Sequence, residues 1–420
     1  MRIAIWFRND LRVKDHQVLF EACQKADEVV PFYCFDDHYY QTASLGFPKI
    51  GPHRARFIKE SVENLHAKLK AKGGGLVVRQ GNTASELQKL HEQFPLDAIY
   101  FTEETTKEEK DLEKKVADLK IPLQSFENQA LYSVSKLPFA IEDMPWVFTE
   151  FRKAVEKQCE VSAPTPEPEA IHVPENLHFG KIPDLPELGL EYPDKDQRAV
   201  LDFKGGEEAA WERLQHYFWQ TDQISTYKET RNGMIGADYS SKFSPWLAQG
   251  CISPVSIYHE LKHYEKQRTK NQSTYWLFFE LLWRDFFRFT ARKEQGHFFR
   301  VDKDVRISID ERFEKWCRGE TGQDFIDGHM KELWHTGFMS NRGRQNVASY
   351  LVNDLEQHWY AGAQWFESRL IDYDVCSNYG NWAYVVGVGH DPRKDRYFNP
   401  ESQAGRYDPD GKHAQLWNTD

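Results

Sequence analysis

Within residues 1–130, five short apolar runs (IAIWF, VVPFYCF, LVV, AIYFT and PLQSF) alternate with stretches of helical period. HRARFIKESVENLHAKLKAKG and TKEEKDLEKKVADLK read as amphipathic helices, and Thr83 with Glu86 has the spacing of a capping box ahead of a third, SELQKLHEQF. Strands that alternate with helices need crossover connections, and these give a parallel sheet covered on both faces. Ligands of such sheets sit beyond the carboxyl ends of the strands. No G-x-G-x-x-G follows the first strand, and Gly73, Gly74 and Gly75 precede a strand instead of opening a helix. A standard dinucleotide site is therefore not expected there, and the triple glycine reads as a helix stop.

Residues 162–194 are rich in Pro and Glu, with Pro164, Pro166, Pro168, Pro174, Pro183, Pro186 and Pro193 interrupting any regular element. From Gly205 onward the chain turns helical and aromatic, as in AAWERLQHYFW, SPVSIYHELKHYEKQ and TYWLFFELLWRDFFRFTARK. The expected fold class is α/β plus all-α. An α/β domain over 1–130 with a five-stranded parallel sheet is joined by a linker over 131–204 to a helical domain over 205–420.

Mean hydropathy is -0.71 and no apolar run has spanning length, which excludes a membrane helix. MRIAIWFRNDLRV lacks the apolar region and cleavage site of a secretory signal, so a cytoplasmic location is expected. The six cysteines are scattered, with no Cys-x-x-Cys and no histidines at zinc spacing, so they read as reduced structural thiols and no metal site is expected. A net charge of -11 disfavours indiscriminate nucleic-acid binding without forbidding a local basic groove. Basic residues collect at Arg284, Arg288, Arg292, Lys293, Arg300 and Lys303, and again at Arg393, Lys394 and Arg396, as either a groove or a solvated face.

The stretch 337–389 mixes Trp359, Trp365 and Trp382 with Asn341, Arg342, Arg344, Asp372, Asp374 and Asn378. Burying such polar groups is costly unless each is paired or meets a polar ligand, so the segment reads as one wall of a cofactor cavity. Val347, Leu351 and Leu355 form a helical core stripe, with Ala348 and Val352 beside it; Asn341 and Gln345 share a neighbouring face, and Arg342 and Arg344 point elsewhere. Ser240, Ser241, Lys242 and Ser244 precede Pro245 at a helix start, which suits either plain capping or a diphosphate. In ELLWRDFF, Glu280 lies among aromatics with Trp283 and Phe287 and could hydrogen-bond a base; the plainer alternative is an ion pair between Glu280 and Arg284 at helical spacing. Trp359 and Trp382 are either core residues or members of an electron relay.

Six segments, WFRNDLRVKDH, GFPKIGPHRARF, TYKETRNGMIGADYSSKFSPWLA, STYWLFFELLWRDFF, TGFMSNRGRQNVASYLV and LIDYDVCSNYGNW, together resemble the photolyase and cryptochrome family almost end to end, and most of all its cryptochrome DASH branch. The resemblance implies an N-terminal α/β domain and a C-terminal helical domain holding bent FAD. Tyr227, Ser240, Ser241, Lys242, Phe243 and Ser244 would hold the diphosphate and ribityl chain. Asp372, Tyr373 and Asp374 would contact the flavin, with Arg344 pairing to Asp372 and Asn378 beside flavin N5.

The implied chemistry is light-driven electron donation from reduced FAD to a cyclobutane pyrimidine dimer, which splits and returns the electron. Glu280, Trp283, Asn341 and Arg342 match the dimer-contacting positions, and Arg231, Arg284 and Gln403 further DNA contacts. Gln345 stands where Met is usual and Tyr384 where a second Trp would sandwich the dimer. Base–aromatic stacking is worth roughly 1–3 kcal/mol and extrusion from a duplex costs a few kcal/mol, so the expected substrate is single-stranded or looped DNA.

Trp382 and Trp359 match the inner relay, but its outermost position aligns with Arg306, leaving Trp316 or Trp334 to substitute or photoreduction to be slow. The implied antenna is methenyltetrahydrofolate, with Glu60 and Glu109 at matching positions. The expected protein is a monomer with no membrane partner. A blue-light receptor that binds FAD and nucleic acid without repair is the alternative. Signalling cryptochromes commonly carry a long C-terminal extension and this chain stops after GKHAQLWNTD, which favours the enzyme.

Overall fold

The computed structural model describes residues 1–299, 307–391 and 397–419. Arg300, Lys303, Arg306, Arg393, Lys394 and Arg396 lie outside the described residues. Five strands, β1 (Arg2–Trp6), β2 (Glu28–Asp36), β3 (Val77–Gly81), β4 (Ala98–Thr102) and β5 (Leu123–Phe126), form one parallel sheet in the order β3-β2-β1-β4-β5. The chain thus winds outward in both directions from β1, and a topological switch point flanks that central strand. Alternation along β1 sends Ile3 and Ile5 to one face and Ala4 and Trp6 to the other. The Ile3/Ile5 face is continuous with the apolar core of the helical half.

Crossovers run through α1 (Gln17–Lys25), α2 (Pro52–Ala71), α3 (Thr83–Gln93) and α4 (Lys107–Ala117). The first of these has no strong start signal in the sequence, because its cap is His16, whose Nδ1 accepts from Leu19 N at 3.0 Å. The cap of α3 is Asn82 and not Thr83: Asn82 Oδ1 accepts from Ser85 N, while the Thr83 amide and hydroxyl are taken by buried Asp36 at the end of β2. A capping box does form at α4, where Glu109 accepts from the Thr106 amide.

Residues 162–194 contain one short 3-10 turn, Leu185–Leu188, yet they are tied down. Val29 N donates to His172 O at 2.7 Å and Val78 N to Phe179 O at 2.6 Å, so the connector extends the edge of the sheet. Gly75 is needed for that approach, since a Cβ there would lie 2.6 Å from the Phe179 ring.

The helical half comprises α5 (Phe148–Gln158), α6 (Glu207–Gln215, running into a π turn), α7 (Tyr227–Thr230), α8 (Ser244–Ala248), α9 (Pro254–Gln267), α10 (Gln272–Glu294), α11 (Glu311–Arg318), α12 (Asp324–Thr336), α13 (Asn341–Asn353), α14 (Trp359–Arg369), α15 (Val375–Val385), α16 (Pro400–Tyr407) and α17 (Lys412–Asn418). From Leu281 to Ala291 α10 is buried on nearly every side, its polar Asp285, Arg288 and Thr290 included, as befits an axial helix. The buried acidic residue there, Asp285, is accommodated by the amides of Leu131 and Tyr132, although burial still pushes its carboxyl up to about 6. Buried polar contacts weld the halves: Glu207 accepts from the amides of Val13 and Lys14 at 3.0 Å, and Arg288 pairs with Glu104 at 3.1 Å and Asp374 at 3.3 Å.

Candidate functional site

A cavity of about 470 Å³ opens among α7, α8, α10, α13 and α15. At one end lie Tyr227, Ser240, Ser241, Lys242, Phe243 and Ser244. Lys242 adopts φ +56° and is buried, with its ammonium donating to Ser240 Oγ at 3.3 Å and lying over the Tyr239 ring. Among the described residues no carboxylate pairs with it, and burial pushes the ammonium well below its ordinary value. A buried cation set among hydroxyls at a helix start has the chemistry of a phosphate cradle.

Behind this segment is a residue that sequence reasoning missed. Arg213 of α6 donates to the carbonyls of Ala237, Ser240 and Ser241, each at 3.0 Å, and pairs with Asp238 at 2.8 Å. By engaging the carbonyls it holds the loop in one shape. Nothing in its local sequence marks it, because the contact is made only when α6 folds back on a segment 24–28 residues away.

The middle of the cavity is lined by α13 and by the segment leading into α15. Ser340 caps α13 by accepting from Gly343 N. Asn341, Arg344 and Gln345 line the cavity together, so Arg344 shares their side instead of pointing elsewhere. Arg344 donates to Met339 O at 2.9 Å and, through Nη2, to both Asp372 oxygens at 3.0 and 2.8 Å. Asp374 caps α15 by accepting from Ser377 N at 2.7 Å. Burial pushes its carboxyl up, but Arg284, Arg288 and the Ser377 amide outweigh this and hold it below the ordinary value. Asn378 Nδ2 donates to Ala363 O at 3.0 Å, which leaves the amide oxygen to meet a ligand.

Trp382 closes the inner wall. Its ring presses on Gly362 of α14, where a Cβ would lie 2.3 Å away, and it meets Phe366 at 5.1 Å and Trp316 at 6.3 Å between centroids. Trp359 is buried at the start of α14, one turn before Gly362, and does not line the cavity. Trp316 is fully buried and donates to Val347 O, whereas Trp334 is 41% exposed, stacked on Trp365 and under Arg369.

At the mouth stand Arg231, Glu280, Trp283, Arg284 and Tyr384. The expected helical pair between Glu280 and Arg284 does not form. Glu280 pairs with Arg231, and Arg284 is committed to the carbonyls of Gln129 and Leu247. Burial raises the Glu280 carboxyl above its ordinary value even with Arg231 against it. Trp283 stacks on Phe148 at 3.7 Å and meets Tyr384 edge-on at 5.3 Å. Arg342 lies outside the lining, donating to Gln345 Oε1 at 2.7 Å and Asn232 Oδ1 at 3.1 Å with its guanidinium over Tyr407. Gln403 is on α16, also outside the lining.

A second cavity, of about 130 Å³, sits at the carboxyl ends of β1 and β2, where a doubly wound sheet is expected to bind ligands. Arg8, Asp36, Tyr39, Arg54 and Glu109 are among its walls. Burial, then Glu104, pushes the Glu109 carboxyl up to about 8. Glu60, expected beside Glu109, lines neither cavity; its carboxylate accepts from Gly205 N at 2.7 Å and fastens the incoming chain to α2. Ala248, Tyr373 and Asp374 line both cavities and form their common wall. No helix among the described residues is long and apolar enough to cross a membrane.

Residues 3–169 match the family described as DNA photolyase, and residues 276–419 that described as the FAD binding domain of DNA photolyase. A protein named Cryptochrome DASH from Gloeobacter violaceus is 49% identical over 424 residues, covering 99% of this chain and 85% of that protein. The solved structure of a Synechocystis cryptochrome is similar with a TM-score of 0.95 at 44% identity, covering 99% of this chain and 88% of that one. An archaeal photolyase from Sulfolobus tokodaii, solved with two FAD molecules, gives a TM-score of 0.80 at 26% identity, covering 100% and 90%.

Proposed function

The chain belongs to the photolyase and cryptochrome family, in its cryptochrome DASH branch, and on that premise we propose that it repairs cyclobutane pyrimidine dimers with light, preferring single-stranded or looped DNA. The observation that carries this reading is one cavity that joins a phosphate-suited inner end to a mouth bearing Glu280, Trp283, Asn341 and Tyr384. The residues present fit FAD: the buried Lys242 ammonium has no carboxylate paired with it among the described residues, and serine hydroxyls line the cavity beside it. When bound and reduced, FAD supplies the light-driven electron that splits the dimer.

The protein's part is binding and orientation. Tyr227 and the segment from Ser240 to Ser244 hold the diphosphate and ribityl chain, with Arg213 fixing that loop from behind. Arg344, Asp372, Tyr373, Asp374 and Asn378 hold the ring system, the Asn378 amide oxygen being the group available at its edge. Glu280, kept in place by Arg231, hydrogen-bonds a pyrimidine edge, while Trp283 and Tyr384 meet the flipped bases and Asn341 the dimer. Arg342, Gln345 and Gln403 meet flanking strand, and Arg284 acts through positioning. Trp382 and Trp359 would serve as the inner relay to the flavin, with Trp316, in ring contact with Trp382, or Trp334 standing in for the outermost member. Glu109 would hold a methenyltetrahydrofolate antenna between the two halves, with Glu60 committed instead to the Gly205 amide. The reading takes the protein as a cytoplasmic monomer.

Single-strand preference follows from the mouth. One Trp faces a Tyr, so less stacking is available to offset extrusion from a duplex. Illuminating reduced, FAD-loaded protein with dimer-containing oligothymidine and following thymine absorbance tests the reading. Recovery is expected in single strands and several-fold less in duplex. No recovery in single strands, with FAD bound and reduced, rejects repair and leaves the light-receptor alternative.

A further inference from the structure

Three side chains outside both cavities meet at the junction of α12, α13 and α17. His329 and Glu332 lie one turn apart on α12, and His413 is in the first turn of α17; all three are fully buried. Their donor atoms lie within 4.8 Å of one another. His413 Nε2 is 3.1 Å from Glu332 Oε2, His329 Nδ1 is 3.8 Å from the same oxygen, and the two imidazole centroids are 4.2 Å apart.

Hydrogen bonding leaves this cluster unsatisfied. Both nitrogens of His329, Nδ1 of His413 and Oε1 of Glu332 are buried without a hydrogen-bond partner. Buried polar atoms are nearly always paired, and a sealed carboxylate with so little support is costly. One proton shared between an imidazole and the carboxylate cannot serve the remaining lone pairs. A divalent cation takes one lone pair from each of the three residues at once and neutralises the sealed carboxylate.

We infer that His329, Glu332 and His413 form a buried site for a divalent transition-metal ion, with Zn²⁺ the best match to two imidazoles and a carboxylate. Three protein donors leave one tetrahedral position for a water-sized ligand. Around them, Asp408 accepts from the amides of His413 and Ala414 at 3.0 Å and so fixes the start of α17. The linear spacing hides the site, since Glu332 and His413 are 81 residues apart.

Its role is mechanical. Gly343, in the first turn of α13, comes so close to His329 that a Cβ there would lie 2.7 Å from Nδ1. The same turn carries Asn341 and Arg344 into the large cavity. A metal ion would therefore staple α12 and α17 under the turn that presents those residues.

The test uses the full-length protein with its FAD. Zinc in the isolated protein, or uptake of Zn²⁺ or Co²⁺ after chelation, is expected at about one equivalent, with Co²⁺ giving ligand-field bands at longer wavelength than the flavin absorption. H329N and H413F are expected to abolish those bands and the rise of a few degrees in Tm that Zn²⁺ gives the parent protein. Folded parent protein with no zinc, no Co²⁺ bands and no Tm response overturns the inference, as does undiminished uptake by the H329N/H413F double variant. If the variants do not fold, the parent's metal content and Co²⁺ spectrum decide alone.

Discussion

The two cavities share a wall but are built differently. The large one is framed mainly by whole motifs, Ser240 to Ser244 and the segments around Asn341 and Asp372, each contributing several lining residues in a row. The small one draws on more places: the ends of β1 and β2 with the loops that follow them, the loop after β4, α2 and α4, and, from the helical half, Ala248, Gln249, Arg288, Glu367 and the run from Tyr373 to Val375. Charge differs as well: a buried lysine held by a serine hydroxyl and a tyrosine ring marks the large cavity, whereas carboxylates Glu104 and Glu109 crowd the small one. A site whose polar residues cluster in helical motifs announces itself in a sequence, and a site gathered at strand ends from both halves of the chain does not.

The sharpest way to break the comparison is at the group both cavities lean on. Arg288→Leu strands Glu104 and Asp374 in the interior, and the expected loss is about 3–5 kcal/mol of stability, read from urea unfolding, with both sites impaired. Lys242→Ala is expected to act on one side alone, weakening FAD retention about 100-fold while leaving the sheet-end cavity intact. Equilibrium dialysis with flavin absorbance measures it.

Removing Asp372 comes next. Asp372→Ala leaves Arg344 without its partner, and because a quarter of the Arg344 side chain is exposed the expected cost is about 2 kcal/mol, less than for a sealed pair, together with partial flavin loss. In the small cavity the test is pH. Glu109 has a folded value of about 8 against an ordinary 4.5, so folding favours its protonated form. Its stabilising contribution is complete below about 4.5 and fades as pH rises through about 8. Glu109→Gln should therefore match the parent in urea at acid pH and surpass it at alkaline pH, and a constant difference across the range would contradict the assignment. The smallest effect is on the relay. Trp316→Phe and Trp359→Phe are each expected to slow flavin photoreduction several-fold, and an unchanged rate in either removes that residue from the route.

Legibility followed the same division. All five strands, the long helices and the helical FAD-binding half could be read, because period and motif are local properties. α1 was missed because its cap is a histidine, and the connector's role because its partners are sheet-edge amides far away in sequence. Lining residues such as Asp372 and Asn378 stood out as too polar for their apolar surroundings. Arg213 carried no such contrast, and the pairing of Glu280 with Arg231 bridges 49 residues, a separation that helical spacing cannot see.

Ala248, Tyr373 and Asp374 each face both cavities, so the partition there is a single residue thick. Two chambers divided so thinly are not optically or mechanically independent, because a guest that shifts the tyrosine on one side displaces the surface met by the guest on the other. The colour of whatever fills one chamber will then register the presence of its neighbour, and titrating the second guest will show as a small spectral drift in the first.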